Sequence, residues 1–203
     1  MGNIFIITAP SGSGKTTIIH SVKKDISTIG YCISHTTRKP RKGEAHGIHY
    51  YFIDEDGFQK MIKNGEFLEW AFVYEKYYGT SFASMEKELS SGDDLLMDLD
   101  IRGARAVKAR YPDSSLIFIL PPSIQALEER LKKRAKGGEK NIELRINKAI
   151  EEIQQCVDYD YIIINDNIDK AVDEVKAVIV SNRAYKKKRL PLVKKLFHLW
   201  LMH

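Results

Sequence analysis

The chain opens with a short apolar run (residues 3–8, NIFIIT), then Ala9-Pro10-Ser11-Gly12-Ser13-Gly14-Lys15-Thr16, then a segment over 15–22 that can be helical. β-branched residues bounded by a glycine-rich turn predict a buried strand feeding a helix, the first unit of an α/β fold. The turn follows the P-loop pattern G-x-x-x-x-G-K-[ST], with Ala9 standing where the first glycine is expected. Chemistry explains the residue types. Gly14 lets the backbone curl so that successive N–H groups face one anion, and the helix that follows adds the positive end of its dipole. Lys15 reaches β/γ-phosphate oxygens, and the Thr16 hydroxyl suits Mg²⁺. Replacing the first glycine by Ala9 removes no backbone donor. ATP or GTP binding follows.

Further apolar runs at 95–99, 116–120 and 161–164 alternate with helix-like segments, which predicts a parallel sheet covered by helices. Ile168, Ala171, Val172, Val175, Val178 and Ile179 hold helical spacing, so a helix there packs on the sheet. Two segments interrupt the alternation. Residues 34–83 are aromatic and locally alternating, which predicts a small antiparallel insertion carrying one helix around 58–63. Residues 124–148 form a charged helical pair broken at Gly137-Gly138.

Charge narrows the partners. Of a net +5, the six cations Lys186, Lys187, Lys188, Arg189, Lys194 and Lys195 lie in a 185–203 tail that contains no acid. The folded body is therefore close to neutral and carries no nucleic-acid footprint. In the tail, Val193, Leu196, Phe197 and Trp200 hold helical spacing. That pattern suits an anionic membrane surface, a second subunit, or packing on its own domain, with Pro191 in the first helical turn. Cys32 and Cys156 lack metal-ligand spacing and read as reduced thiols of a cytoplasmic protein. His35, His46 and His49 show no metal spacing either. No window is apolar enough for a membrane span, and the N-terminus resembles no signal peptide.

Asp100-Ile101-Arg102-Gly103 fits the D-x-x-G of GTPase switches, yet no N-K-x-D motif for guanine occurs, since Asn147-Lys148 runs into Ala149-Ile150. A second phosphorylated substrate in the 34–83 insertion fits better. Arg38 and Arg41, held by Pro40 and Gly43, can grip one phosphate. Tyr50 and Tyr78 add hydroxyl donors. Glu69 offers a carboxylate to the adjacent N–H pair of guanine, a pair that adenine lacks.

With these motifs the sequence resembles the guanylate kinase family over residues 3 to about 183. The resemblance rests on the phosphate loop, Ser34 to Glu44, GIHYYF at 47–52, GEFLEWA at 65–71, Tyr78-Gly79-Thr80 and residues 96–103. It implies an α/β P-loop nucleoside monophosphate kinase, moving the γ-phosphoryl of ATP to GMP with Mg²⁺. The implied organisation is a parallel-sheet core (1–33, 84–123 and 149–184), a small mixed GMP-binding insertion (34–83), a helical lid (124–148) and the basic tail (185–203). ATP would meet Pro10, Ser11, Gly12, Ser13, Gly14, Lys15, Thr16 and Thr17, with Asn165 and Asp166 near the adenine. The GMP phosphate would meet Arg38, Arg41, Tyr50 and Tyr78, and the guanine Ser34, Glu69, Thr80 and Asp100. Asp98 and Asp100, alternating along one strand end, would join Thr16 in organising Mg²⁺ and its waters. Arg130, Arg134 and Arg145 would approach the ATP phosphates and act in transfer with Lys15 and Arg41. Arg102 stands where many members carry Gln, and Ala135-Lys136-Gly137-Gly138 departs from their usual lid turn. A monomer or homodimer is expected. Two other readings were weighed: an interaction module without catalysis, against which the intact loop argues, and a kinase for another nucleoside monophosphate, against which Glu69 and Ser34 argue.

Overall fold

A computed structural model of the 203-residue chain describes residues 2–73, 75–90, 93–135 and 142–197. The first strand, β1 (Ile4–Thr8), is buried along its whole length, as the continuous apolar run requires of a central parallel strand. Helix α1 (Lys15–Asp25) follows the glycine loop, and β2 (Ile29–Cys32) lies at the sheet edge. A second sheet is then built from β3 (His35–Thr36), β4 (Tyr51–Phe52), β5 (Phe67–Val73) and β6 (Lys76–Ser81), with α2 (Glu55–Lys63) between β4 and β5. Helix α3 (Phe82–Leu89) returns the chain to β7 (Asp94–Asp98), α4 (Ile101–Arg110) and β8 (Ser115–Leu120). Helix α5 (Ile124–Ala135) and the first half of α6 (Ile142–Gln154) make up the described part of the 124–148 segment expected to act as a lid. A 3₁₀ turn leads to β9 (Tyr161–Ile164), α7 (Ile168–Ala184) and α8 (Lys186–Phe197).

The larger sheet is parallel, in the order β2-β7-β1-β8-β9, so the loops after β1, β7 and β9 gather along the carboxyl edge where open α/β sheets bind ligands. One face packs Phe5, Ile7, Leu96 and Ile117 against Ile18 and Val22 of α1 and Ala171, Val175 and Ile179 of α7. The expected packing of α7 on the sheet is what the core shows, with Ile168 and Val178 partly buried beside it. The other face packs Ile6, Leu95 and Met97 against Met85 of α3 and Ala104 and Val107 of α4.

The structure departs from the sequence reading at several points. Strand β2 gave no run strong enough to notice, because Gly30 and Tyr31 interrupt its apolar residues. Helix α2 begins three residues earlier than expected, because the Asp54 side chain caps it by accepting from the Gly57 N–H at 2.8 Å. In the small sheet β3 runs antiparallel to β6 but parallel to β4. Asp98 and Asp100 do not share a strand: β7 ends at Asp98, and Asp100 is the N-cap of α4, accepting from the Gly103 N–H at 2.8 Å. Pro191 lies inside α8 instead of in its first turn, since the helix starts at Lys186 directly after α7. Helix α8 packs on α7, Lys187 pairs with Asp113 at 2.7 Å, and Leu192, Leu196 and Phe197 are exposed. Trp200 lies outside the described residues. No described helix is long and apolar enough to cross a membrane.

Candidate functional site

Two glycines shape the phosphate loop. Gly12 (φ 95°) and Gly14 (φ 92°) adopt the left-handed conformation that side chains disfavour. Gly14 is the N-cap of α1 and supplies no capping side chain, so the first amides of the helix stay open to a ligand. Lys15 pairs with Asp98 at the end of β7, while Thr16 and Thr17 are exposed at the helix start. The loop is supported from behind. Asn165, buried just beyond β9, donates its side-chain amide to the Ser13 carbonyl at 2.7 Å. Arg130 of α5 donates from Nη2 to the Asn165 carbonyl at 3.0 Å, and its Nη1 is buried with no hydrogen-bond partner among the described residues. An unsatisfied guanidinium nitrogen beside an anion loop is a ready donor to phosphate.

The loop forms one wall of a cleft of about 620 Å³, whose other walls include Phe72 of β5, Asp100, Arg102 and Arg105 of α4, and Lys148 and Glu152 of α6. Burial raises the Glu152 carboxyl above its ordinary range, with Lys148 and Lys15 opposing. The sequence reading assigns none of Arg102, Arg105, Lys148 and Glu152 to the site. Each sits on an ordinary charged helix face, and only the packing of α4 and α6 turns those faces inward. Arg145 lies about one turn before Lys148 on α6. Arg134 lies on α5, but its side chain and residues 136–141 are outside the described residues.

The small sheet carries the second group. Arg38 makes a two-pronged contact with Glu44, Nη1 to Oε2 at 2.8 Å and Nη2 to Oε1 at 2.9 Å, and Glu44 also accepts from the Arg41 N–H at 2.7 Å. These bonds to Arg38 are the main reason the Glu44 carboxyl is held below its ordinary value. The Arg38 guanidinium lies 5.4 Å from the Tyr50 ring, whose centroid is 6.1 Å from that of Tyr78. Burial, and next the Asp98 charge, pushes the Tyr50 hydroxyl well up. Arg38, Tyr50 and Tyr78 are thus one cluster. Arg41 is exposed at its rim, joined to it through its own backbone. Glu44 ended the quoted arginine block without a role. Its spacing from Arg38 and Arg41 was the available signal.

Beside this cluster, the Ser34 and Thr80 hydroxyls meet at 3.0 Å. Strand β5 carries one extra residue between Phe67 and Glu69 relative to β6, a bulge that re-aims the Glu69 side chain. Burial raises the Glu69 carboxyl to about 7, hydrogen bonds from the Thr80 hydroxyl and N–H oppose this, and the Asp100 charge adds to it. Asp98 and Asp100 therefore stand between the two groups. Asp98 holds Lys15 and acts on Tyr50, while Asp100 lines the cleft and acts on Glu69.

Among the described residues no group of three or more His, Cys, Asp or Glu side chains is arranged to hold a metal ion. The cleft offers hard oxygen donors instead, the exposed Thr16 hydroxyl and the Asp100 carboxylate, with the Asp98 carboxylate beside it on Lys15. Such a set suits Mg²⁺ that arrives on phosphate and keeps most of its water.

The family model described as Guanylate kinase matches residues 1–182. The chain is 47% identical over 182 residues to a guanylate kinase of Carboxydothermus hydrogenoformans, covering 90% of this chain and 89% of that one. It is 41% identical over 196 residues to one of Geobacter sulfurreducens, covering 97% of each. The crystal structure of guanylate kinase from Anaplasma phagocytophilum matches with a TM-score of 0.79 at 28% identity, over 98% of this chain and 97% of that one.

Proposed function

The chain belongs to the guanylate kinase family, and from that premise we propose how its residues divide the ATP-dependent phosphorylation of GMP to GDP. ATP rests its phosphates on Pro10, Ser11, Gly12, Ser13, Gly14, Lys15, Thr16 and Thr17, with Asn165 bracing the loop from beneath. GMP lies against the 34–83 insertion, its phosphate among Arg38, Arg41, Tyr50 and Tyr78 and its guanine toward Ser34, Thr80, Glu69 and Asp100. The core comprises 1–33, 84–123 and 149–184, and the 124–148 segment closes over ATP.

One observation carries this division: Lys15 of the phosphate loop pairs with Asp98 at the end of β7, and the Asp98 and Asp100 charges are felt at Tyr50 and Glu69 of the second group. Donor and acceptor phosphates are thereby directed at one another across Asp98. A GMP phosphate oxygen attacks the γ-phosphorus, a new P–O bond forms, and the bond to the β-phosphate oxygen of ADP breaks; the protein forms no covalent intermediate. Lys15 exchanges Asp98 for β/γ-phosphate oxygens, while Arg41, Arg130, Arg134 and Arg145 neutralise charge on the transferring group. Arg130 has a buried Nη1 available for this. Thr16, Asp98 and Asp100 would hold Mg²⁺ arriving with ATP, which would supply screening of the phosphate charges. Closure of the insertion and the lid over the cleft excludes water, which suppresses ATP hydrolysis. The two free cysteines support work in the reducing cytoplasm, as a monomer or homodimer.

ADP release with MgATP, measured for GMP, dGMP, AMP, UMP and no acceptor, tests the assignment. Strong release with GMP and little with AMP or UMP is expected. Arg41→Met and Lys15→Met should each reduce turnover sharply in a folded chain. Near-normal turnover in either variant removes that residue from the mechanism.

A further inference from the structure

Gly103 is a glycine with no backbone reason to be one. It is the third residue of α4 and lies outside the positive-φ region that five of the described glycines adopt. In a helix glycine is disfavoured relative to alanine, because it loses more backbone freedom and contributes no side chain. Its N–H is engaged by Asp100, which an alanine would permit equally. Gly103 is also buried, so a methyl group there would bury further apolar surface.

What the position excludes is a Cβ. One built there would lie 2.9 Å from Glu69 Oε2, 3.0 Å from Cδ and 3.2 Å from Cγ. All three nearest atoms belong to one side chain, that of Glu69. The bulge in β5 aims Glu69 at α4, and α4 presents a bare Cα where the carboxylate arrives. Thr80, paired opposite Glu69 on β6, offers its hydroxyl and N–H to the same carboxylate. The carboxylate thus meets a polar wall on one side and a steric floor on the other.

We propose that Gly103 is a positioning residue for base recognition: the missing side chain sets the depth at which the Glu69 carboxylate sits, and so its alignment with the two adjacent guanine N–H groups. This rests on Glu69 being the guanine acceptor. A carboxylate lifted by a fraction of an ångström meets one donor well and the other poorly. The penalty therefore falls on the 2-amino group as well as on overall affinity. Gly103 touches no substrate, and its effect passes wholly through Glu69.

The experiment compares the wild type, Gly103→Ala, Glu69→Gln, Glu69→Asp and the Gly103→Ala/Glu69→Asp pair. GMP and inosine monophosphate, which lacks the 2-amino group, serve as acceptors. Gly103→Ala is expected to raise KM for GMP on the order of 10- to 100-fold with kcat changed less. The preference for GMP over inosine monophosphate should narrow, KM for ATP should hold, and thermal stability should stay level or rise. In the Glu69→Asp background, whose side chain is one methylene shorter, the added methyl should cost much less. Unchanged KM and base preference in Gly103→Ala overturn the proposal if Glu69→Gln loses the preference. If Glu69→Gln keeps it, the guanine role of Glu69 fails instead, and the proposal with it. A Gly103→Ala chain that folds only when Glu69 is shortened supports the same steric contact. A chain that fails to fold in both backgrounds assigns Gly103 to other packing and overturns the proposal.

Discussion

The side-chain amide of Asn165 donates to the carbonyl of Ser13 at 2.7 Å, tying the exit of β9 to the phosphate loop. Both residues are buried, so neither group has water to fall back on. Asn165→Ala leaves the Ser13 carbonyl unpaired and should cost about 1–3 kcal/mol of stability. It should also raise KM for ATP more than KM for GMP, because the released loop is the one proposed to seat ATP. Urea unfolding and initial rates with each substrate varied would check both; a stability loss with equal effects on the two substrates contradicts the bracing role.

Glu44 holds three donors with one carboxylate, two from Arg38 and one from Arg41. Glu44→Gln cannot reproduce the two-pronged contact and lets both arginine segments spread. KM for GMP should rise on the order of 10-fold while ATP binding holds. Stability should change by less than about 1 kcal/mol, since the pair is partly solvated. A lower KM for GMP would show instead that Glu44 competes with the phosphate.

Glu69 holds its proton up to about 7 in the folded chain, against an ordinary 4.5. Between those pH values the folded state binds more protons than the unfolded state. Substrate-free stability should therefore fall as pH rises from about 4.5 to about 7 and level off above, by at most about 3 kcal/mol from this residue. Glu69→Gln should flatten that part of the profile in thermal denaturation. Guanine needs the ionised carboxylate, so KM for GMP should fall as pH rises toward 7, and GMP binding at pH 6 should release a proton. Calorimetry in two buffers of different ionisation enthalpy would detect it.

Asp94, at the start of β7, is buried and accepts from the Asn3 N–H, the Asn3 side chain and Arg183 Nε. Arg183 reaches on to Thr28, so one carboxylate joins the approaches to β1, β2 and β7 to α7. Asp94→Ala should destabilise the chain by about 3 kcal/mol, read from urea unfolding. KM values of the surviving folded protein should stay near wild type, because this hub lies at the sheet's opposite edge from the phosphate loop.

The sheet and the phosphate loop were legible because they depend on local signals: continuous apolar runs, and glycines followed by Lys15 and Thr16. Arg38, Tyr50, Tyr78 and Glu69 were legible as chemistry, and packing then supplied the grouping. What escaped depends on contacts remote in sequence. Asn165 could be placed near ATP, but its bond to Ser13 requires β9 to lie on β8. Glu44 and Gly103 are explained only by what they touch, a guanidinium in one case and a carboxylate in the other. Strand β2 escaped for a different reason: at a sheet edge a strand survives with two buried residues of four.

The four-stranded sheet arises between β2 and α3, and α3 packs on both β2 and β7, which are neighbours in the core. In topological terms the whole insertion, proposed above as the acceptor's seat, is an enlarged loop within a single strand–helix–strand crossover. The core register of β2 on β7 is closed by Ile29 to Cys32 against Asp94 to Met97 without any residue of that loop. The scaffold that handles the triphosphate is therefore modular with respect to its acceptor. Exchanging the crossover's contents would change what is phosphorylated while leaving the phosphoryl-donor machinery as it stands.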